Sequence, residues 1–336
     1  MKNQLKIIAE IGVNHNGKFQ LAKKLIDEAK KCGANAVKFQ TFFAKNFVKK
    51  NTPKVKYQKA NTDDKENHFK MIKKLELKKK DFIYLKKYCE KKNIEFISTP
   101  YDLESAEFLK SIKIKTFKTA SADLSDYLLH KFISKTNSKV IISTGMANLE
   151  DINRTLKIYR NKKKIELLHC VSSYPCSFKS LNLKCINLLQ EKFKIPVGFS
   201  DHSVGSNAAI IALALGARLF EKHFTLSKKM PGPDHKASMD PKEFKHYVNK
   251  IKLAHQMLGK PLKKIWPEEL EMKKISSKSI TFRHNLSKNS KIKISDIVMK
   301  RPGYGLNGFF IKKILGKKLK KDIFKDQQLK LKDFYL

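Results

Sequence analysis

Short apolar runs alternate with longer amphipathic segments through the first 225 residues of the chain. The apolar runs are rich in Ile, Val and Phe, as is typical of parallel strands buried on both faces. There are eight of them: Lys6–Gly12, Ala36–Phe42, Phe96–Pro100, Thr116–Ser121, Val140–Gly145, Ile165–Cys170, Val197–His202 and Arg218–Phe224. This pattern predicts eight strands in succession.

The segments between these runs have the apolar periodicity of amphipathic helices. Clear cases are Phe19–Cys32, Lys79–Lys92, Leu103–Ser111, Leu149–Arg160, Ser203–Leu215 and Asp240–Leu258, the last of which is followed by Gly259 and Pro261. Eight strand-then-helix units in about 260 residues predict an α/β fold of the TIM-barrel type, a closed (β/α)8 barrel. A doubly wound sheet is the alternative, but it rarely carries eight consecutive units.

Two regions depart from this rhythm. The connection Phe43–Leu77 between the second and third strands is long, as lids and binding loops often are. After residue 262 the pattern changes: residues 263–277 form a charged, partly helical linker, and residues 278–336 contain short β-like runs among many lysines. We therefore expect a barrel domain over 1–262 and a small β-rich domain over 278–336.

Composition restricts the cellular setting and the partners. The formal charge of +41 admits nucleic-acid binding, but lysine far outnumbers arginine and is spread along the chain, and no helix-turn-helix, RNP or finger motif is present. A lysine-rich surface that attracts anionic substrates is the preferred interpretation, with no nucleic acid as partner.

The five cysteines form no CxxC pair and fit reduced thiols in a cytoplasm. We expect neither a signal peptide nor a membrane span.

The predicted strands carry polar residues where they end. In a barrel, the carboxyl ends of the strands form the active face. These ends are Glu10, Lys38 with Gln40, Ser98-Thr99, Lys118 with Ser121, Ser143-Thr144, Ser172-Ser173-Tyr174, Ser200-Asp201-His202 and Glu221-Lys222-His223. A single buried ion could belong to a structural salt bridge. Eight polar ends together favour a catalytic face, because a barrel built only for stability would fill these positions with Val, Ile and Leu.

Two histidines and two lysines suggest particular chemistry. His202 and His223 end neighbouring strands, so their imidazoles could hold one divalent metal, although two hydrogen-bonded core histidines are the alternative. Lys38 and Lys118, together with the hydroxyls of the neighbouring ends, are suited to a phosphate and a carboxylate at close quarters. Neither a P-loop nor a GxGxxG motif supports nucleotide binding.

Nine ordered motifs resemble those of the sialic acid synthase family. They are IAEIGVNHNG, AVKFQTF, FISTPYD, FKTASAD, VIISTGMA, LLHCVSSYP, VGFSDHSVG, FEKHFTL and GPDHKAS, which together extend from Ile8 to Ser238. RPGYG at Arg301–Gly305 and the segment Ile314–Ile323 are similar to the antifreeze-like, or SAF, domain that closes these enzymes.

The resemblance implies a role for each matching residue. It implies that His202 and His223 hold Mn²⁺ or Mg²⁺, and that Glu10 lies near the metal. It implies that phosphoenolpyruvate is bound by Lys38, Thr99, Lys118, Ser121, Ser143, Ser172 and Ser200, and that the amino sugar is bound by Gln40, Asn61, Tyr174 and Asp234. Asp123 or Glu10 would handle the attacking water. The family's homodimer swaps its SAF domain, so that Arg301 would reach the sugar in the partner's site.

The expected reaction is condensation of phosphoenolpyruvate with an N-acetylated amino-sugar aldehyde, with C–O cleavage and release of phosphate. N-acetylmannosamine giving N-acetylneuraminate is the first expectation. A 2,4-diacetamido-trideoxyhexose giving legionaminate or pseudaminate is the alternative. A related aldol synthase acting on a phosphorylated sugar would not need the SAF tail, and an ice-binding role for the tail does not suit its lysine-rich surface.

Overall fold

The eight predicted strands form a closed parallel barrel. The computed structural model describes residues 4–62 and 65–335. The barrel strands are β1 (Lys6–Gly12), β2 (Ala36–Thr41), β3 (Glu95–Pro100), β4 (Thr116–Thr119), β5 (Lys139–Ser143), β6 (Ile165–His169), β7 (Val197–Asp201) and β8 (Leu219–His223). Each strand pairs with the next along the chain, and β8 closes the barrel on β1, with Glu10 opposite His223. The predicted (β/α)8 fold is confirmed.

Helices surround the barrel, and the described part of the long connection after β2 contains three further short helices. The helices are α1 (Phe19–Lys31), α2 (Ala44–Phe47), α3 (Lys56–Asn61), α4 (His68–Leu75), α5 (Lys79–Lys91), α6 (Leu103–Ser111), α7 (Tyr127–Ser134), α8 (Leu149–Ile158), α9 (Cys185–Phe193), α10 (Asn207–Ala214) and α11 (Pro241–Leu258). Asp240 starts α11 by accepting a hydrogen bond from the Glu243 amide at 2.9 Å. Gly259 ends the same helix with a positive φ of 55°.

The two faces of each barrel strand bury different side chains, because successive side chains point to opposite faces. Outward residues such as Phe39, Phe117 and Phe220 join the large core between strands and helices. Inward residues form a separate apolar cluster: Ile8, Ala36, Ile97, Ile141, Leu168 and Leu219. Gly198 occupies a position in β7 where a Cβ would lie 2.3 Å from the Leu219 carbonyl oxygen, so only glycine fits there.

The chain divides into two compact units, Met1–Gly259 and Lys260–Leu336. The segment expected to be a linker contains α12 (Leu270–Ser276) and belongs to the second unit. That unit contains the antiparallel pair β9 (Ser279–Phe282) and β10 (Ile297–Lys300), and the short helix α13 (Ile311–Ile314). Its core is Ile280, Phe282, Ile292, Ile297, Ile314, Leu319, Ile323, Leu329 and Phe334.

A membrane-crossing helix is not found in the part of the chain that the structure describes, because none of its helices combines the necessary length with sufficient apolar character.

Candidate active site

A buried polar layer lies above the apolar cluster inside the barrel. Each of its residues follows an inward position of the same strand by two places, so its side chain also points inward. The layer consists of Glu10, Lys38, Thr99, Lys118, Ser143, Cys170, Ser200 and Glu221, and every one of these residues is at most 5% exposed. It lies at the carboxyl ends of the strands, where barrel enzymes have their active sites.

Two lysines and two glutamates form the charged centre of this layer. Lys38 Nζ lies 2.7 Å from Glu10 Oε2 and 3.8 Å from Glu221 Oε2. Lys118 Nζ lies 3.9 Å from Glu221 Oε1 and also hydrogen-bonds the Ser143 hydroxyl. Buried ions require such partners, because an unpaired charge in the interior is strongly unfavourable. The four groups therefore form a charge-balanced buried cluster.

The environment pushes the pKa values of the two glutamates apart. Burial, reinforced by the Glu221 carboxylate, raises the pKa of Glu10 even though Lys38 opposes the shift. Burial also acts on Glu221, but Lys118 and Lys38 outweigh it and lower its pKa to about 2. Burial lowers the pKa of Lys118 despite the attraction of Glu221. Two carboxyl groups with opposed shifts are a common arrangement at catalytic sites.

Hydroxyl groups line the same space. Thr99 Oγ1 accepts a hydrogen bond from Lys38 Nζ at 3.3 Å, and the Ser200 hydroxyl donates to Glu221 Oε1 at 3.1 Å. Ser121 and Ser172 approach the backbone of Gly145 so closely that a Cβ there would lie 2.8 Å from the first hydroxyl and 2.5 Å from the second. Gly145 therefore allows both hydroxyls to reach the site.

The two predicted metal ligands meet at this end of the barrel. The ring centroids of His202 and His223 are 5.7 Å apart, and Tyr174 packs on the His202 ring at 4.2 Å. His202 Nδ1 lies 2.7 Å from the Val171 carbonyl oxygen, so a proton on that nitrogen leaves the Nε2 lone pair for a ligand, with the Ser200 hydroxyl 3.4 Å away. His223 Nδ1 is buried and has no hydrogen-bond partner among the described residues.

These imidazoles suit a divalent ion, because two neutral ring nitrogens facing a polar cavity leave further positions for oxygen ligands. Burial lowers the pKa of His202 to about 4, and burial with the nearby His202 lowers that of His223, so both rings are neutral at pH 7. Over residues 4–62 and 65–335, no group of three or more His, Cys, Asp or Glu side chains has metal-binding geometry. Any ion here would need ligands from water or substrate.

A cavity of about 840 Å³ brings most of the predicted residues together. Those lining it are Glu10, Lys38, Gln40, Lys118, Ser121, Ser143, Ser172, Tyr174, Ser200, His202, His223 and Asp234. Burial, with repulsion from Glu10, raises the pKa of Asp234 to about 7. The cavity is large enough for two small substrates.

Four predicted residues do not line this cavity. Thr99 contacts Lys38, and Asn61 donates to the Pro233 carbonyl at 3.0 Å. Asp123 ends a short 3₁₀ turn that begins at Ser121, and Arg301 is an exposed residue of the second unit. Thr99 and Asn61 thus support lining residues, whereas the roles of Asp123 and Arg301 remain predictions.

The cavity also contains residues to which the sequence gave no individual role. Glu221 contributes the counter-charge for both lysines, and Tyr57 lies 5.5 Å from Tyr174 between ring centroids. Alternation along β8 could have identified Glu221, because it shares the inward face with His223. Tyr57 belongs to α3 in the long connection, and the local pattern gave no signal for its position.

The fold and the site define a barrel enzyme whose charged pocket opens at the carboxyl ends of the strands. The NeuB family model matches residues 25–263, and the SAF domain model matches residues 277–334. The chain therefore belongs to the NeuB family and is an enzyme of that type with a SAF domain.

Characterised relatives match along nearly the whole chain. The N,N'-diacetyllegionaminic acid synthase of Legionella pneumophila is 41% identical over 93% of this chain and 90% of its own length. The synthase of the same name from Campylobacter jejuni is 40% identical over 98% of this chain and 100% of its own. The solved N-acetylneuraminic acid (sialic acid) synthetase of Leptospira borgpetersenii is 34% identical, with a TM-score of 0.70 over 81% of this chain and 90% of that one. The relatives are sugar acid synthases, and the resemblance found in the sequence is confirmed.

Proposed function

We propose that this enzyme condenses phosphoenolpyruvate with an N-acylated amino-sugar aldehyde to form a nonulosonic acid. One observation carries the proposal: two buried lysines and a set of hydroxyls face two neutral imidazoles in a single cavity at the carboxyl end of the barrel. Cations and hydroxyl donors suit the phosphate and carboxylate of phosphoenolpyruvate, and the imidazoles suit an ion that binds the sugar aldehyde.

Lys38 and Lys118 would bind the anionic groups of phosphoenolpyruvate, together with the hydroxyls of Ser121, Ser143 and Ser200. In the free enzyme the two lysines are balanced by Glu10 and Glu221. A further buried anion would leave a net negative charge unless a proton entered with it. Of the two glutamates that pair with the lysines, Glu10 is the one with the raised pKa, so it is the group that would take up this proton and exchange it during the reaction.

A Mn²⁺ or Mg²⁺ ion held by His202 and His223 would supply Lewis-acid polarisation of the aldehyde oxygen. Gln40, Tyr174 and Asp234 would orient the sugar chain beside it, and Asn61 would hold the Pro233–Asp234 segment in place through its hydrogen bond. This arrangement brings the aldehyde carbon close to the bound phosphoenolpyruvate.

The bond changes follow from this placement. Carbon 3 of phosphoenolpyruvate would attack the aldehyde carbon, and the positive charge that develops at carbon 2 would be quenched by water. Glu10 would give the proton it took up to the aldehyde oxygen as the carbon–carbon bond forms, and Glu10 or Asp123 would then accept a proton from that water. The tetrahedral carbon would then release inorganic phosphate by C–O cleavage, with Lys38 and Lys118 stabilising the departing anion.

The acceptor sugar is a choice between two classes. The first candidate is N-acetylmannosamine, the acceptor for N-acetylneuraminate. The characterised relatives that are 40–41% identical are named for a product with two acetyl groups, whereas the sialic acid synthetase is 34% identical. This difference supports a 2,4-diacetamido-trideoxyhexose as a second candidate of equal standing.

The proposed active unit is a homodimer in which each SAF domain presents Arg301 to the partner's sugar site. The proposed setting is the cytoplasm, which agrees with five free thiols.

Phosphate release tests this function. The purified enzyme with Mn²⁺ and phosphoenolpyruvate should release phosphate only when N-acetylmannosamine or a diacetamido sugar is added, and the faster sugar is the assigned acceptor. The His202→Ala protein is the control and should release none. Phosphate release without any sugar, or unchanged activity of His202→Ala in metal-free buffer, would contradict the proposal.

A further inference from the structure

A second buried ion pair lies on the opposite face of the last two barrel strands. Asp201 of β7 and Lys222 of β8 are directly opposite each other in the register of the sheet. Lys222 Nζ lies 3.2 Å from Asp201 Oδ2, and the side chains are 3% and 0% exposed. Because side chains alternate along a strand, this pair points away from the cavity into which His202 and His223 project.

The ion pair contacts the residues on both sides of His202: Asp201 precedes it, and Ser203 follows it. Asp201 Oδ1 accepts hydrogen bonds from the Ser203 amide at 2.8 Å and from the Ser203 hydroxyl at 2.7 Å. Lys222 Nζ donates to the Ser203 carbonyl oxygen. The residues before and after His202 are thereby joined to each other and to one buried ammonium group.

The Lys222 ammonium group is also linked to His223, because Lys222 directly precedes His223 in β8. Tyr247 of α11 covers the pair from outside, with its ring centroid 5.6 Å from Lys222 Nζ. Burial lowers the pKa of Lys222, while Asp201 opposes that shift. A buried ion pair is weak evidence of a contribution to stability, and its best-supported use is to fix one relative arrangement of the elements that it joins.

We propose that Asp201 and Lys222 are positioning residues that hold the imidazoles of His202 and His223 at the separation needed to bind one divalent ion. This inference rests on the proposed function, because it assumes that the two histidines are metal ligands. It adds two residues that touch neither substrate nor metal, and it predicts that they act together.

Mn²⁺ binding to the substrate-free protein is the direct test. Titration of Mn²⁺, with the free ion followed by electron paramagnetic resonance, gives a dissociation constant without any turnover. Asp201→Asn and Lys222→Met should each weaken Mn²⁺ binding by about 10- to 100-fold, the usual effect of removing residues that support metal ligands. The Mn²⁺ affinity of the double variant should be no lower than that of the weaker-binding single variant, because each change alone already breaks the Asp201–Lys222 pair.

A control protein separates positioning from general destabilisation. Glu95→Gln breaks the Lys6–Glu95 pair, which joins β1 and β3 at their first residues with an N–O distance of 2.7 Å. It should lower the melting temperature without altering Mn²⁺ affinity. If Asp201→Asn does not fold, Lys222→Met and the double variant still give the result, since the double variant leaves no unpaired buried charge.

The remaining outcomes identify which idea fails. If His202→Ala loses Mn²⁺ binding but Asp201→Asn and Lys222→Met bind it like the wild type, the positioning role is wrong and the metal site stands. Additive losses in the double variant would also overturn the positioning role. If His202→Ala binds Mn²⁺ as well as the wild type, the proposed metal site is wrong.

Discussion

The inside of the barrel contains two neighbouring layers of opposite character. The lower layer is apolar and includes Ile8, Ile141 and Leu219, whereas the layer two residues further along the same strands contains Glu10, Ser143 and Glu221. Both layers are buried, at most 3% exposed in the lower and 5% in the upper, and both lie on the same paired strands. Burial alone therefore does not distinguish a structural layer from a reactive one; the chemistry of the buried groups does.

The two layers also differ in what a substitution removes. Removing an apolar side chain from the lower layer leaves a cavity. Removing one charged side chain from the upper layer leaves its buried partner with less counter-charge. Both changes lower stability, but only the second removes a group that faces the cavity, so the two layers should differ in activity per folded molecule.

The largest expected effect separates the layers directly. Lys118→Met should lower kcat/KM by about 10²- to 10³-fold, as loss of one charge-stabilising donor does. It should also lower the melting temperature, because Glu221 keeps only one of its two lysine partners. Ile141→Ala should lower the free energy of unfolding by about 2–5 kcal/mol and leave the activity per folded molecule unchanged. Phosphate release and thermal melting of both proteins check this. Similar activity per folded molecule in the two variants would show that the layers are not functionally distinct.

The second effect extends the comparison to the SAF domain. Arg301→Ala should raise the KM for the sugar by about 10-fold or more, as loss of a charged hydrogen bond does, while the KM for phosphoenolpyruvate stays the same. Lys300→Ala is the matched control, because Lys300 is the neighbouring cation and pairs with Asp326. Equal effects on both substrates would count against a sugar contact from Arg301.

The smallest effect concerns Asp123, whose role the cavity lining does not support directly. Burial, then repulsion from Asp126, raises its pKa to about 7. The unfolded carboxyl group ionises near pH 4, so the folded state loses stability as the pH rises from 4 to 7. Asp123→Asn removes this penalty and should raise the melting temperature at pH 8 by on the order of 2–4 °C.

At pH 4.5 the gain in melting temperature should nearly disappear. An equal gain at both pH values would mean that the titration of Asp123 is not its cause. Activity of the same variant at pH 8 then shows whether Asp123 or Glu10 handles the water.

Sequence patterns predicted the barrel because each strand places apolar residues on both faces, which leaves a continuous signal. They also predicted most of the upper layer, because Glu10, Lys38 and Lys118 are charged residues inside strands. A buried charge is costly unless it is paired, so its presence in a strand indicates a functional or ion-pair role. The helices α7 and α9 were not among the segments named individually, although eight strand-then-helix units require a helix after β4 and after β6.

The rest depended on contacts between distant segments. Asn61 donates a hydrogen bond to Pro233, which is 172 positions away in the sequence. The sequence around α3 therefore could not predict that this helix lies at the cavity. The pairing of Asp201 with Lys222 could not be predicted either, because it depends on the register between β7 and β8. For Asp123, the 3₁₀ turn after β4 determines the direction of the side chain, and a strand pattern cannot predict that.

Isotope labelling of the reaction in ¹⁸O-water tests the central claim most directly. If the upper layer catalyses condensation of phosphoenolpyruvate with C–O cleavage, the ¹⁸O atom becomes the oxygen bonded to carbon 2 of the sugar acid. The released phosphate then contains no label. Mass spectrometry of both products gives the answer in one experiment. Label in the phosphate and not in the sugar acid would mean P–O cleavage and would contradict the proposed reaction.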